Sequence, residues 1–300
     1  MARIIAVANQ KGGVGKTTTA INLAASLAVG ERRTLLIDTD PQSNATRGLG
    51  VPAQADRPSL YDVLAGDAPA GDVLLPTELA HLSLLPADRD LIGAELELAA
   101  MEGREHKLRE AIGPLGEAFD FIVLDCPPAL GLLTINALCA ARGVLVPVQC
   151  EYLALEGLTE LMETLKRVRN AFNPDLSLEG ILLTMYDDRT NLARQVVTEV
   201  QQYFGDSVFK AIVPRNVRLG EAPSFGKPIV LYDIKSKGAE AYLGLAKEIV
   251  AHEKTGAWTR SELAPAGQPG NPGAGAGPAG DDRPGGGSDH AEPDPASGAV

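Results

Sequence analysis

Two lysines, Lys11 and Lys16, bracket a run of glycines in Asn9-Gln10-Lys11-Gly12-Gly13-Val14-Gly15-Lys16-Thr17-Thr18-Thr19. Glycine lets the backbone turn so that several N–H groups point into one concavity, which then binds anions. An ammonium at Lys16 would reach the β- and γ-phosphates of a nucleotide, and the Thr17 hydroxyl would bind Mg²⁺. The apolar run at residues 4–8 reads as a short buried strand before the loop, and residues 20–28 carry a helical pattern after it. A helix starting near Lys16 would aim its positive end at the phosphates. The bland alternative, a flexible turn with two solvated lysines, fits this flanking strand and helix poorly.

The strict phosphate-loop pattern has a glycine five residues before Gly15, and here that position is Gln10. A second lysine, Lys11, precedes Gly12-Gly13 instead. The result is the deviant Walker A pattern, Lys-Gly-Gly-x-Gly-Lys-Thr.

Carboxylates follow at two strand ends. Thr34-Leu35-Leu36-Ile37 runs into Asp38-Thr39-Asp40-Pro41-Gln42. Open α/β sheets hold ligands at the carboxyl ends of strands. Alternate residues of an extended chain share a face, so Asp38 and Asp40 are expected on one side. A carboxylate there can orient an attacking water or hold the Mg²⁺ shell; two loop caps are the alternative. Phe121-Ile122-Val123-Leu124-Asp125 is a Walker B arrangement, with Asp125 beside the loop holding Mg²⁺ through water. Pro127-Pro128 stop that strand and fix a loop able to sense the γ-phosphate.

Further strands are expected at 82–86, 144–148, 180–185 and 208–213, and a short helix near 59–64 in the connecting region 51–78. Residues 91–112 hold a helical pattern with many charges. The long amphipathic helix at 155–172 carries Leu158, Leu161, Met162, Leu165 and Val168 or Arg169 in one stripe, read as core or interface. The next helix is expected to turn Leu192, Val196, Val200 and Phe204 inward.

The chain has 300 residues, 45% of them hydrophobic, enough for one large α/β domain with extra segments. No eighteen-residue apolar run occurs, so no transmembrane helix is expected. Met1-Ala2-Arg3 leads directly into a strand, unlike a signal peptide, and a cytoplasmic location is expected. Cys126, Cys139 and Cys150 lack metal-like spacing and read as reduced, buried apolar residues. The net charge of −12 argues against a nucleic-acid partner. Its distribution weakens that objection: residues 1–165 carry 12 basic and 22 acidic side chains, residues 166–260 carry 14 and 11, and residues 261–300 carry 1 and 6. Residues 257–300 form a Gly/Pro-rich acidic tail, expected to be disordered because it has almost no large apolar side chain to bury.

Taken together, Lys11 to Thr18, Asp38-Thr-Asp-Pro-Gln42, Asp125-Cys-Pro-Pro128, Arg189-Thr-Asn191 and Pro214-Arg-Asn-Val-Arg-Leu-Gly-Glu-Ala-Pro-Ser224 closely resemble the ParA/Soj family of partitioning ATPases. The resemblance runs from Arg3 to about Lys254, and the acidic tail is not part of it. It implies a P-loop NTPase of α/β class, a mostly parallel twisted sheet flanked by helices, over residues 1–256. It implies ATP and Mg²⁺ held by Lys11, Gly12, Gly13, Val14, Gly15, Lys16, Thr17, Thr18 and Asp125, with Pro214 and Asn216 lining the adenine pocket. It implies an ATP-dependent sandwich homodimer in which Lys11 reaches the partner's phosphates, Gly12 lies at the seam and Asp40 orients the hydrolytic water. Arg189 and Arg218 match positions used for non-specific contact with double-stranded DNA, and Lys235, Lys237 and Lys247 could join them; surface ion pairs with Asp187, Asp188 and Glu221 are the alternative for the arginines. A ParB-like partner and association with the nucleoid follow from the same resemblance.

Three rivals share the loop. A MinD-like membrane switch needs a basic amphipathic C-terminal helix, which residues 255–300 lack. An iron–sulfur reductase needs cysteines placed symmetrically across a dimer. A pure scaffold would keep Lys16 and show no turnover.

Overall fold

The computed structural model describes residues 1–52, 54, 57–152 and 154–255, with side chains described as far as His252. The expected tail at 257–300 lies outside the described residues. The strands are β1 (Arg3–Val7), β2 (Thr34–Asp38), β3 (Leu75–Pro76), β4 (Leu82–Leu85), β5 (Phe121–Asp125), β6 (Gly143–Gln149), β7 (Ser177–Tyr186) and β8 (Val208–Pro214). They form one sheet in the order β3-β4-β2-β5-β1-β6-β7-β8. All neighbours are parallel except β3, which pairs antiparallel with β4 at the edge. This is the expected α/β class: helices cover both faces, so the central strands are apolar without interruption.

The two-residue period of a strand sorts the core into two layers. Ala6, Leu35, Ile37, Ile122 and Leu124 face one layer. Ile5, Val7, Leu36, Phe121 and Val123 face the other, against Ala20, Leu23, Ala24 and Leu27 of the helix Lys16–Val29. Val7 and Asp38 both pair with Asp125 in register. The same period therefore puts both aspartates on the face where the glycine loop enters its helix. The C-terminal helix Lys237–Thr255 packs beside that helix through Tyr242, Leu245 and Ile249.

Two expectations need correction. The pattern over 91–112 is not one helix. It breaks into Leu91–Leu98, a 3₁₀ turn Arg104–His106 and Lys107–Ile112, because Gly103 takes a left-handed φ of 65°. Leu192 does not point inward: it is 45% exposed, and Ala193 takes the buried place with Val196 and Val200. In the long helix Ala154–Ala171 the stripe closes on Val168, which is buried. All three cysteines are free and buried.

The segment after β8 is compact. Val217–Glu221 is a short helix, Ala222–Phe225 a 3₁₀ turn, and Gly226 crosses Gly50 at backbone contact. A Cβ on Gly226 would lie 2.5 Å from Gly50 Cα, and its φ is 65°. Gly66 has a φ of 88° with no atom within 4 Å of such a Cβ. Gly66→Ala is expected to cost about 1 kcal/mol of backbone strain, and Gly226→Ala clearly more, about 2 kcal/mol or above. Urea melts of the two variants check this; equal losses would show that the crossing carries no steric constraint.

Candidate nucleotide site

The loop between β1 and the first helix is built from glycine conformations. Gly13 (φ 75°) and Gly15 (φ 90°) take left-handed angles that other residues avoid. Side chains from elsewhere hold the loop. Asn9 donates to the Pro147 carbonyl at 2.7 Å and accepts from the Lys11 N–H at 3.0 Å. The Thr184 hydroxyl donates to the Val14 carbonyl at 2.9 Å. Gln10, where the strict pattern wants glycine, donates to Thr164 Oγ1 at 3.2 Å and ties the loop to the long helix.

The two lysines sit in opposite settings. Lys16 is buried, and its Nζ donates to the Lys11 carbonyl at 3.0 Å, across the loop. Desolvation lowers its pKa, while Asp125 and Asp40 nearby pull it back up. The Lys11 side chain is 55% exposed, and its ammonium is 3.9 Å from Glu151. Glu151 also lies 3.8 Å from Arg215.

The three aspartates have separate jobs. Asp38 is fully buried. Its Oδ2 accepts from both the N–H and the hydroxyl of Thr46 at 2.8 Å, and its Oδ1 from the Asp40 N–H at 3.1 Å. Burial pushes its pKa up to about 6 against those hydrogen bonds. Asp40 lies beyond the end of β2, and its Oδ1 accepts from the Gln42 N–H at 2.9 Å. The chain turns through the Asp38–Asp40 contact, with Asp38 tied to Thr46 and Asp40 buried at 7% exposure, close enough to Lys16 and Asp125 to shift both. Asp125 is buried, and neither carboxylate oxygen has a hydrogen-bond partner of normal geometry among the described residues. Desolvation, then Asp38, drive its pKa well up, and the Thr17 hydroxyl and Lys16 oppose this in part.

An orphaned buried carboxylate beside a threonine hydroxyl is an all-oxygen donor set, which suits a hard divalent cation such as Mg²⁺. A phosphate chain on the loop would supply further oxygens. Along the carboxyl edge of the sheet the order is Asp40 after β2, Asp125 on β5, the loop after β1, then Tyr186 and Pro214 ending β7 and β8. From β1 to β8 is three strand spacings, about 14 Å. That is the reach of a nucleotide from its phosphates to its base.

An AAA domain family model matches residues 2–178. The chromosome partitioning protein ParA of Myxococcus xanthus is 59% identical over 251 residues, covering 84% of this chain and 89% of the relative. The sporulation initiation inhibitor protein Soj of Bacillus subtilis is 54% identical over 252 residues, covering 84% of this chain and 100% of the relative. The chain belongs to the ParA/Soj family of chromosome-partitioning ATPases. A solved Mycobacterium smegmatis protein, described as cobyrinic acid a,c-diamide synthase with ADP and magnesium bound, superimposes with a TM-score of 0.75. It is 41% identical, and the match covers 85% of this chain and 97% of that one.

The ParA/Soj resemblance also singled out residues on the β7–β8 side. Pro214 ends β8 and lines an open cleft of about 800 Å³ with Tyr186, Asp187, Arg189, Arg215 and Lys237. Asn216 caps the next helix, accepting from the Arg218 N–H at 2.8 Å. Arg189 is 82% exposed and grips Asp187 with two nitrogens, which holds that carboxyl down at about 2. Arg218 meets Glu221 at 2.9 Å and Asp233 at 3.7 Å. Lys237 meets Glu240 at 2.8 Å, and Lys235 is exposed. Lys247 stands apart. It is ten residues, about 15 Å, further along the C-terminal helix, in a cleft with Arg32 and Gly30.

Sequence reasoning missed Thr46, Thr184 and Glu151. Thr46 lies on the five-residue helix Asn44–Gly48, too short for a helical pattern to mark it. Asp125→Asn is expected to raise stability without nucleotide or Mg²⁺ by about 1–3 kcal/mol, by removing a buried unpaired charge. The same change should shrink the extra stability that Mg²⁺ and ATP confer. Urea melts with and without both check this; a less stable variant without nucleotide would overturn the account of Asp125.

Proposed function

We propose that this chain is an ATP-driven switch that coats double-stranded DNA as a homodimer and drives segregation of a chromosome or plasmid with a ParB-like partner. The observation carrying the proposal is the contrast between its two loop lysines. Lys16 is buried over its own loop, whereas the Lys11 side chain is exposed and meets Glu151 in a long ion pair. Lys11 is thus free to neutralise phosphates bound by a second copy. A Cβ built on Gly12 meets no atom within 4 Å, so the space at that glycine is open in the single chain and suits a close seam.

In this reading Lys16, with the amides of Gly13 to Thr18, holds the β- and γ-phosphates. Thr17, and Asp125 through water, would hold Mg²⁺, which neutralises phosphate charge. Asp40 orients the water that attacks the γ-phosphorus. The bond to the bridging oxygen breaks, and ADP and phosphate leave. Pro214 and Asn216 face the adenine.

Arg189, Arg218, Lys235 and Lys237 lie on or near the carboxyl edge and give the DNA face. Their exposed ion pairs are worth little individually, about 0–1 kcal/mol, so DNA phosphates can replace the carboxylates cheaply. Pairing of two chains doubles this face and raises affinity by avidity. The ParB-like partner stimulates hydrolysis and so releases the dimer. Relatives above 50% identity, two of them named for chromosome partitioning and for sporulation, favour this reading over the synthase chemistry named for the Mycobacterium smegmatis structure. Among the described residues no helix is long and apolar enough to cross a membrane.

The test is duplex-DNA binding without nucleotide, with ADP and with ATP, over a salt series, using Asp40→Ala to hold the ATP state. Binding is expected with ATP only and without sequence preference. Arg189→Ala or Arg218→Ala should weaken it and flatten the salt slope by about one per cation lost. Asp40→Ala should bind ATP yet hydrolyse about a hundredfold slower or worse. Gly12→Val should fold and stay monomeric with ATP. Intact turnover with no DNA binding in any state would overturn the DNA reading. An ATP-dependent Gly12→Val dimer would overturn the seam.

A further inference from the structure

We infer that Asn22 and Tyr242 are positioning residues that set the separation between the phosphate loop and the adenine end of the nucleotide site. The inference rests on the proposed adenine role of Pro214 and Asn216. Asn22 is 4% exposed, in the second turn of the helix that follows the loop. Its Nδ2 donates to the Thr18 carbonyl at 2.8 Å, and its Oδ1 accepts from the Ile229 N–H at 2.7 Å. A carbonyl only accepts and an N–H only donates, so both ends of the amide are fixed. The side chain therefore spans from Thr18, in the first turn of its own helix next to the loop, to the start of the short helix Ile229–Tyr232. One turn earlier, the Thr19 hydroxyl meets the fully buried Tyr242 hydroxyl at 3.1 Å.

Both ties reach the body that carries Pro214 and Asn216. From Asn216 to Ile229 the chain is compact, pinned where Gly226 crosses Gly50. Leu219 packs on Gly238, one turn before Tyr242, so closely that a Cβ there would lie 2.7 Å from Leu219 Cγ. The phosphate loop follows β1 and this body follows β8, about 14 Å away. A ligand that touches both ends gains full affinity only when that separation is right. A ligand made of phosphates alone needs only the loop. Burying an amide and a phenol in an otherwise apolar layer costs desolvation that leucine and phenylalanine would avoid, and fixing two bodies in register uses both polar groups.

The experiment measures Mg²⁺-dependent affinity of the full chain for ATP and for inorganic tripolyphosphate, in wild type, Asn22→Ala and Tyr242→Phe. Asn22→Ala is expected to weaken ATP about five- to tenfold and tripolyphosphate less than twofold. Tyr242→Phe is expected to weaken ATP about threefold with the same selectivity. A merely structural role would weaken both ligands equally, and that result overturns the inference, as does unchanged ATP affinity in both variants. Where Asn22→Ala does not fold by circular dichroism, the near-isosteric Tyr242→Phe decides alone. A wild type that binds tripolyphosphate as tightly as ATP would refute the adenine reading instead.

Discussion

The site is organised around an electrostatic conflict. Three carboxylates, Asp38, Asp40 and Asp125, are drawn to one buried edge with a single buried ammonium, Lys16. Parallel register forces this, because Asp38 and Asp125 are direct cross-strand partners at the last residues of β2 and β5. Charge buried in this way is tolerated only where something answers it. For Asp38 the answer is internal, since Thr46 supplies two donors and also accepts from the Ala87 N–H at 3.0 Å. For Asp125 the described residues give none beyond the neighbourhood of Thr17 and Lys16. In the proposed function a cation and a phosphate chain would restore the stability withheld there, which would couple binding to rigidity.

The remaining architecture serves that edge by spacing. Strand order puts Asp40, Asp125, the glycine loop and the segment after β8 in one line, and strand separation fixes their distances. The outer cations lie on the same line beyond β7 and β8. Each carries an anionic neighbour or stands in solvent, so the surface is near neutral there despite its many cations. In the proposed function such a face would attract DNA weakly as one copy and usefully as two, the difference that a nucleotide-controlled switch requires.

Much of this was legible in the sequence, for an identifiable reason. Strands β1, β2, β5 and β6 are short, mostly apolar runs, β2 and β5 closing on an aspartate, and a parallel sheet buries such runs whole. The loop and the two carboxylate strand ends carry their chemistry in adjacent residues. Where the signal was tertiary, it was not legible. The turn in which Asp38 Oδ1 accepts from the Asp40 N–H shows only in three dimensions. Thr46, Thr184 and Asn22 are ordinary polar residues in one dimension, and only the fold brings them to Asp38, Val14 and Ile229. Lys247 shares a helix with Lys237, and only helix length shows that they serve different regions.

The same reasoning explains why two lysines five residues apart are not redundant. One ammonium inside the loop, Lys16, is desolvated, and its pKa falls despite the carboxylates of Asp125 and Asp40 nearby. A second buried ammonium would deepen that cost without reaching new oxygens. Lys11 avoids it by pointing out, where solvent screens it and Glu151 holds it at a distance typical of a loose pair. Glu151 is also near Arg215, at the start of the segment that carries the base-side residues. Any event that draws Lys11 away from Glu151 leaves that carboxylate to Arg215 and to the Gln149 amide that also donates to it, and strengthens the hold on the β8 side. The exposed lysine, the shared carboxylate and the base-side segment thus form one electrostatic unit, whose balance is set by what Lys11 finds to neutralise.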